Sequence, residues 1–308
     1  MAKAVAKKYE VIIIGGGPAG LTAGLYTARL GLRSLLIERG AFGGQMFNAP
    51  MVENYPGFPE GIAGAELGAL MHKQAGKYGL ETETTGVTDI KTGKTHKVIT
   101  EKGDFEAEAV IIATGSDYQK LGVPGEGTLS GRGVSYCATC DGFFFRQREV
   151  AVVGGGDAAI TDAMELAQHA SKVYVIHRRN QLRAGEVLQK RAKAQPKINF
   201  LWDTIVEEIV GGEAVKALKL RNVKTKKSST LEVAGVFVAV GLKPNSQPFA
   251  DILKLAKTGH ISTDETMKTS VPGIFAAGDV RQSSARQIAT AVGDGATAAK
   301  AAFAYLKE

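Results

Sequence analysis

With 308 residues, 44% of them hydrophobic and 22% charged, the chain is long enough for about two globular domains with real cores. Its 38 glycines fall in short loops between apolar runs, which excludes a low-complexity or fibrous chain. The net charge of +7 suits an anionic ligand or an acidic protein partner, but no basic block is interleaved with aromatics, which argues against nucleic acid. The lysine-rich stretches 190–197 and 224–227 read as solvated faces.

Residues 11–28 carry no charge and follow Lys7 and Lys8, so they could pass for a signal peptide or a membrane span. Gly15-Gly16-Gly17-Pro18 would break a helix in the middle of that stretch. It predicts instead a buried strand, a turn and a helix, with no targeting or membrane segment. A second strand follows at 34–37 and ends at Glu38, and a third, at 109–112, ends in Ala113-Thr114-Gly115.

The same order then returns. Val11-Ile12-Ile13-Ile14-Gly15-Gly16-Gly17-Pro18-Ala19-Gly20 aligns with Val150-Ala151-Val152-Val153-Gly154-Gly155-Gly156-Asp157-Ala158-Ala159, an offset of 139 that also pairs Ser34–Ile37 with Val173–Ile176. The stretch 235–241 resembles 109–115 as a closing strand and glycine turn. Each copy is a β-turn-α-β unit of a parallel sheet. The expected fold class is therefore α/β, with two Rossmann-like dinucleotide-binding domains.

In each turn the first glycine (Gly15, Gly154) permits a tight bend and a later one (Gly17, Gly156) lets the backbone approach a pyrophosphate. A small third residue (Gly20, Ala159) lets helix pack on strand. The pyrophosphate would sit at the start of the helices opening with Pro18-Ala19 and Asp157-Ala158. Glu38 is placed to accept hydrogen bonds from a ribose diol and would repel a 2′-phosphate. The second copy has His177-Arg178-Arg179 at that point and Arg183 four residues on, a cluster suited to a 2′-phosphate. NADP(H) is therefore expected at the second site and FAD at the first; the bland alternative for the arginines is a solvated loop.

Cys137 and Cys140 are the whole supply of thiols. A lone CxxC is half a zinc site at most, and the five histidines lack finger spacing, so no metal is expected. Two intervening residues allow a reversible disulfide, and a pair that must cycle fits a reducing cytoplasm. Asp141 follows directly, either as a general acid for a departing thiolate or as a turn residue before Gly142. Phe143-Phe144-Phe145 reads equally as a docking patch or as core packing.

These residues together resemble the low-molecular-weight thioredoxin reductases over nearly the whole chain. The resemblance rests on Gly15–Gly20, Gly43-Gly44-Gln45, Val52–Gly57 with Asn54, Cys137–Gly142, His177-Arg178-Arg179 with Arg183-Ala184, and Gly273–Val280 with Arg286-Gln287. It implies an FAD domain in two parts, residues 1–116 and 245–308, with an NADPH domain, 117–244, inserted between them. It implies that Gly44, Gln45, Asn54, Ala113, Thr114, Gly115, Gly278 and Asp279 contact the flavin cofactor, and that Arg286, Gln287 and Ile288 lie at its ring. A hydride would pass from NADPH to FAD, and two electrons from there to the Cys137–Cys140 disulfide. Cys140 would be the flavin-proximal thiol and Cys137 the one that attacks the partner, thioredoxin or a similar small protein. A homodimer is implied as well. Members often carry a Ser or Asn-Thr after the second glycine motif and a Glu pair in the following helix, where this chain has Asp157-Ala158-Ala159-Ile160-Thr161-Asp162, and an aromatic before the Arg-Gln pair, where it has Ala285.

Rival readings keep the flavin disulfide chemistry but change the donor to NADH or ferredoxin, or the partner to a glutaredoxin-like protein. The retained arginines argue against ferredoxin. A different class, a flavin- and nucleotide-binding redox sensor, would show no multiple turnover of NADPH.

Overall fold

The computed structural model describes residues 7–49 and 51–308; residues 1–6, where the expected first domain begins, and Pro50 lie outside the described residues. The chain divides into two compact units, one formed by Met1–Asp117 with Lys243–Glu308 and the other by Tyr118–Leu242.

The first unit contains β1 (Lys7–Ile14), α1 (Pro18–Arg29), β2 (Ser34–Glu38), α2 (Gly64–Gly76), β3 (Glu81–Thr84), β4 (Val87–Lys91), β5 (His96–Thr100) and β6 (Gly103–Ile112). The chain leaves it through β7 (Ser116–Tyr118). The second unit contains β8 (Val134–Ser135), α3 (Ala138–Asp141), β9 (Glu149–Gly154), α4 (Asp157–His169), β10 (Lys172–Ile176) and α5 (Glu186–Ala194). It continues with β11 (Ile198–Leu201), β12 (Thr204–Gly211), β13 (Val215–Asn222), β14 (Ser228–Glu232) and β15 (Gly235–Ala239). The chain returns through β16 (Leu242–Pro244), which pairs with β7, and closes the first unit with β17 (Ile274–Ala276) and α6 (Ile288–Tyr305).

The repeat read from the sequence has a direct structural counterpart. In the first unit β1 pairs in parallel with β2, Val11 opposite Ser34, and with β6, Val11 opposite Ala109. In the second, β9 pairs in parallel with β10, Val150 opposite Val173, and with β15, Val150 opposite Gly235. The full orders are β3-β2-β1-β6-β5-β4, with β17 beside β6, and β11-β10-β9-β15-β8, next to a separate antiparallel β12-β13-β14 sheet. The α/β class with two Rossmann-like sheets holds; β4 and β5 extend the otherwise parallel first sheet as antiparallel strands. The uncharged run at 11–28 is a strand, a turn and a helix, because both faces of β1 are covered. Val11 and Ile13 join the core under α1 and α6, while Ile12 and Ile14 join the core on the opposite face.

Helix α6 lies against α1 at very close range: a Cβ on Gly295 would come within 2.1 Å of the Ala19 carbonyl oxygen. Small residues on both helices are thus a packing requirement. A largely buried ion pair ties the second turn of α6 to the segment after β17. The Asp294 carboxylate accepts from Arg281 through Nε at 2.6 Å and Nη2 at 2.8 Å, and from the Gly278 N–H at 3.0 Å. Asp294 is 6% exposed, so Asp294→Ala would strand the Arg281 guanidinium and should cost about 3–5 kcal/mol. Denaturant unfolding of the purified variant reads this directly; a loss below about 1 kcal/mol would show the pair to be dispensable.

Candidate active site

The second unit carries the redox pair at the end of β8. Strand residue Ser135 is buried; Tyr136 follows, and Cys137 precedes the single turn α3. Cys137 and Cys140 form a disulfide with Cα atoms 5.3 Å apart. The Cys140 N–H donates to Cys137 Sγ at 3.2 Å, a contact that would favour a thiolate on Cys137 once the bond opens. Cys140 is exposed and Cys137 half-buried.

Ser135 organises this turn. Its hydroxyl donates to Asp141 Oδ2 at 2.6 Å, and its oxygen accepts the Cys137 N–H at 3.1 Å. Burial raises the Asp141 pKa above the ordinary carboxylate value, and the Ser135 hydrogen bond opposes the rise. The carboxyl therefore holds its proton more readily than an exposed aspartate, which a general acid requires. On the other side of Cys137, the Tyr136 hydroxyl donates to Glu126 Oε1 at 3.0 Å. The buried Glu126 carboxylate also accepts the Leu121 and Gly122 N–H groups at 2.9 and 2.8 Å, so its hydrogen-bonding capacity is met within the fold. Burial, and next the Glu126 charge and hydrogen bond, push the Tyr136 phenol up.

The three phenylalanines divide. Phe145 packs edge-on against Phe237 with centroids 5.3 Å apart and belongs to the core, whereas Phe143 and Phe144 are 55% and 48% exposed.

Both glycine turns leave room for a ligand. A Cβ on Gly156 would meet nothing within 4 Å, and one on Gly17 only the Gly44 Cα at 3.9 Å. Protein packing therefore does not demand glycine at either position, but a phosphate lying there would. Each of these glycines caps its helix with no side-chain hydrogen bond, leaving the first N–H groups of α1 and α4 for an anion. The residues present fit a dinucleotide at each turn.

Around the second turn, the Arg183 and Ala184 N–H groups donate to the Gly155 carbonyl at 2.7 and 3.2 Å, and Gly185 N–H donates to Asp157 Oδ1 at 2.8 Å. Arg178, Arg179 and Arg183 are exposed and take part in no ion pair found among the described residues. His177 is buried against Gly155, where a Cβ would clash with the ring at 2.3 Å. Burial first, and then Arg183 and Arg178, hold its pKa below the usual value, while backbone hydrogen bonds oppose this.

In the first unit, Glu38 is the last residue of β2, and its carboxylate is already held by the Gly16 N–H at 2.5 Å and the Gly40 N–H at 2.8 Å. The other residues singled out from sequence make contacts within the first unit. The Gln45 side-chain amide donates to the Ser116 carbonyl, and the Ser116 hydroxyl donates to the Asp279 carbonyl at 2.7 Å. Asn54 Nδ2 donates to Gln287 Oε1 at 3.1 Å. Gln287 caps α6 in a capping box with Thr290, so Ile288 is the first helical residue. Thr114 Oγ1 donates to the Asn245 carbonyl and Asn245 Nδ2 to the Thr114 carbonyl, closing the turn that ends at Gly115. Ala113 lies against Gly15, where a Cβ would meet its carbonyl at 2.3 Å. Burial raises the Asp279 pKa, opposed by the Ser284 hydroxyl and Arg286. Arg286 itself has φ of 57°.

Sequence reading passed over Ser135, Glu126 and the Arg281–Asp294 pair. Only Asp294 carried a signal: it is the one acidic residue in the small, apolar helix α6.

The sequence matches the family described as pyridine nucleotide-disulphide oxidoreductase over residues 9–295. A protein of Listeria innocua named thioredoxin reductase is 49% identical over 304 residues, covering 98% of this chain and 95% of that one. One of Bacillus subtilis with the same name is 48% identical and covers 98% and 96%. The crystal structure of thioredoxin reductase from Streptococcus pyogenes superimposes with a TM-score of 0.94 at 48% identity, covering 98% of this chain and 99% of that one. With its two glycine turns, its arginine loop and its disulfide in this frame, the chain belongs to the pyridine nucleotide-disulphide oxidoreductase family.

Proposed function

We infer that the protein is a thioredoxin-disulfide reductase using FAD and NADPH. The observation that carries the reading is the Cys137–Cys140 disulfide beside Asp141, whose carboxyl accepts from Ser135 and whose pKa burial raises, in a chain about half identical to named thioredoxin reductases. FAD and NADPH, when bound, supply the hydride chemistry and the electron pair that opens the disulfide. The first unit would hold FAD through the Gly15–Gly20 turn, Glu38 and the Gln45, Asn54, Asp279 and Gln287 group. The second would hold NADPH through Gly154–Ala158 and the arginines.

The partner step belongs to the chain's own residues. Cys137 Sγ attacks one sulfur of the thioredoxin disulfide, forming a mixed disulfide and releasing the other sulfur as a thiolate. Cys140 Sγ then attacks Cys137, restoring the Cys137–Cys140 bond and releasing the second thioredoxin thiolate. Asp141 is the acid that supplies a proton as thiolates depart. The exposed Phe143 and Phe144 would give the partner an apolar surface beside the cysteines. We place the enzyme in the cytoplasm as a homodimer; exposed Tyr26, Leu30 and Tyr78 in the first unit provide apolar surface for self-association. No helix among the described residues is long and apolar enough to cross a membrane.

The test is anaerobic titration of the yellow protein with NADPH and, separately, NADH, followed by oxidised thioredoxin. Rapid bleaching by NADPH and catalytic appearance of thioredoxin thiols are expected; bleaching without any thioredoxin turnover would overturn the reading.

Asp141 gives a pH-dependent prediction. Because the protonated carboxyl is the active form, partner reduction should fall as pH rises through its elevated pKa. Ser135→Ala removes the hydrogen bond that favours the carboxylate, so that limb should move to higher pH. Asp141→Asn should lose the limb and about 100-fold in rate. Profiles of kcat/KM for thioredoxin against pH decide it; an unchanged limb in Asp141→Asn assigns the proton to another group.

A further inference from the structure

The redox turn is held to the rest of its unit by packing and by one side-chain contact that the mechanism has not used. Ala138 is buried in the core that includes Leu166 of α4, and a Cβ on Gly142 would lie 3.1 Å from Leu166 Cδ2. Both attachments are apolar and undirected. Between them stands a polar one: Thr139, inside the CxxC itself, donates from Oγ1 to Glu165 Oε2 of α4 at 2.9 Å. Thr139 is exposed and Glu165 half-buried. Glu165 makes no ion pair among the described residues, so Thr139 is its hydrogen-bond partner there. The Glu165 charge is nevertheless felt locally: together with burial, the larger cause, it raises the carboxyl of Asp162, one turn earlier on α4, to about 6.

We propose that Glu165 is a positioning residue of the redox centre, acting through Thr139 to hold Cys140 within reach of Cys137 after the disulfide opens. This rests on the reading of Cys137–Cys140 as the redox pair. A two-residue spacing keeps the thiols near each other, but the ease of re-forming the bond depends on how much of the time the open turn keeps its closed shape. A hydrogen bond from the residue between the cysteines to a longer, separately packed helix restricts that turn. It raises the effective concentration of Cys140 at Cys137. Losing it should make the oxidised form easier to open and the dithiol slower to close, so that the mixed disulfide with a partner persists longer.

The experiment equilibrates the FAD-loaded enzyme in glutathione redox buffers and counts free thiols by alkylation and mass. In this exchange two glutathione thiols reduce the Cys137–Cys140 disulfide, giving one glutathione disulfide and two protein thiols. Glu165→Ala and Thr139→Val should each shift the equilibrium toward the dithiol by about five-fold, the size of one partly exposed hydrogen bond to a charged group. Glu165→Gln keeps an acceptor for Thr139 without the charge and should return to within about two-fold of the parent. The double variant Thr139→Val/Glu165→Ala should shift no further than either single change, because both remove the same contact.

Unshifted equilibria in both single variants, or additive shifts in the double, would overturn the proposal; so would a Glu165→Gln enzyme that behaves like Glu165→Ala. Flavin content and thermal unfolding of each variant separate a folding defect from the expected shift. Failure of the parent enzyme to reduce thioredoxin would strike at the function instead, since the glutathione equilibrium does not involve thioredoxin.

Discussion

Replacing Cys140 by serine should abolish turnover of thioredoxin, by at least about 10³-fold, while NADPH still bleaches the flavin. The same change should leave a trapped species. Offered a thioredoxin whose second active-site cysteine is serine and whose first carries a thionitrobenzoate leaving group, Cys137 displaces that group. With no thiol left on either protein to resolve it, the mixed disulfide accumulates as a covalent adduct on a non-reducing gel. Cys137→Ser should lose turnover equally without trapping the partner. The structure sets two considerations against each other here. Exposure favours Cys140 as the attacking thiol, whereas the Cys140 N–H on Cys137 Sγ favours Cys137 as the thiolate. Nucleophilicity follows the thiolate fraction, and a small domain movement can expose a half-buried sulfur more readily than burial can create charge. A trap on Cys140 and none on Cys137 would reverse the assignment.

Changing Arg178, Arg179 and Arg183 together to alanine should raise KM for NADPH about 100-fold and leave KM for NADH nearly unchanged. Charge-assisted hydrogen bonds to a phosphate contribute about 1.5–3 kcal/mol each. Exposure of all three side chains reduces what they sum to, so about 3 kcal/mol in total is reasonable, close to 100-fold. The guanidinium groups have no carboxylate competing for them among the described ion pairs, and the Gly155 carbonyl pins the loop that carries Arg183. The parent preference for NADPH should weaken as salt is added, since exposed charges are screened. Steady-state kinetics with both nucleotides check this. Equal losses for NADH and NADPH would mean that the loop only supports the glycine turn and reads no phosphate.

Much of the site's inventory was legible because it is local in sequence. A glycine turn between a strand and a helix is recognisable from a dozen residues, and the repetition at 139 positions made it specific. The CxxC and the arginine cluster are likewise short segments whose chemistry depends on the residues within them. What escaped notice joins segments far apart. Gln45 meets Ser116 across 71 positions and Ser116 meets Asp279 across 163. Thr139 meets Glu165 across 26. No periodicity marks such pairs, because each partner is an ordinary polar residue until folding brings the other to it. The phenylalanine run shows the same limit: three identical side chains in a row do not reveal which one Phe237 will cover.

The sequence by itself determined the α/β class, the two glycine turns, the cysteine pair and the cluster of arginines proposed to meet a 2′-phosphate. These follow from backbone conformation and composition within single supersecondary units. The tertiary structure alone decided which groups surround those parts. It placed the Ser135 hydroxyl on Asp141, closed Asp294 on Arg281, and tied the cysteine turn to α4. Proton affinity, burial cost and the stiffness of a disulfide loop depend on neighbours within a few ångströms, and only the packed chain specifies who those neighbours are.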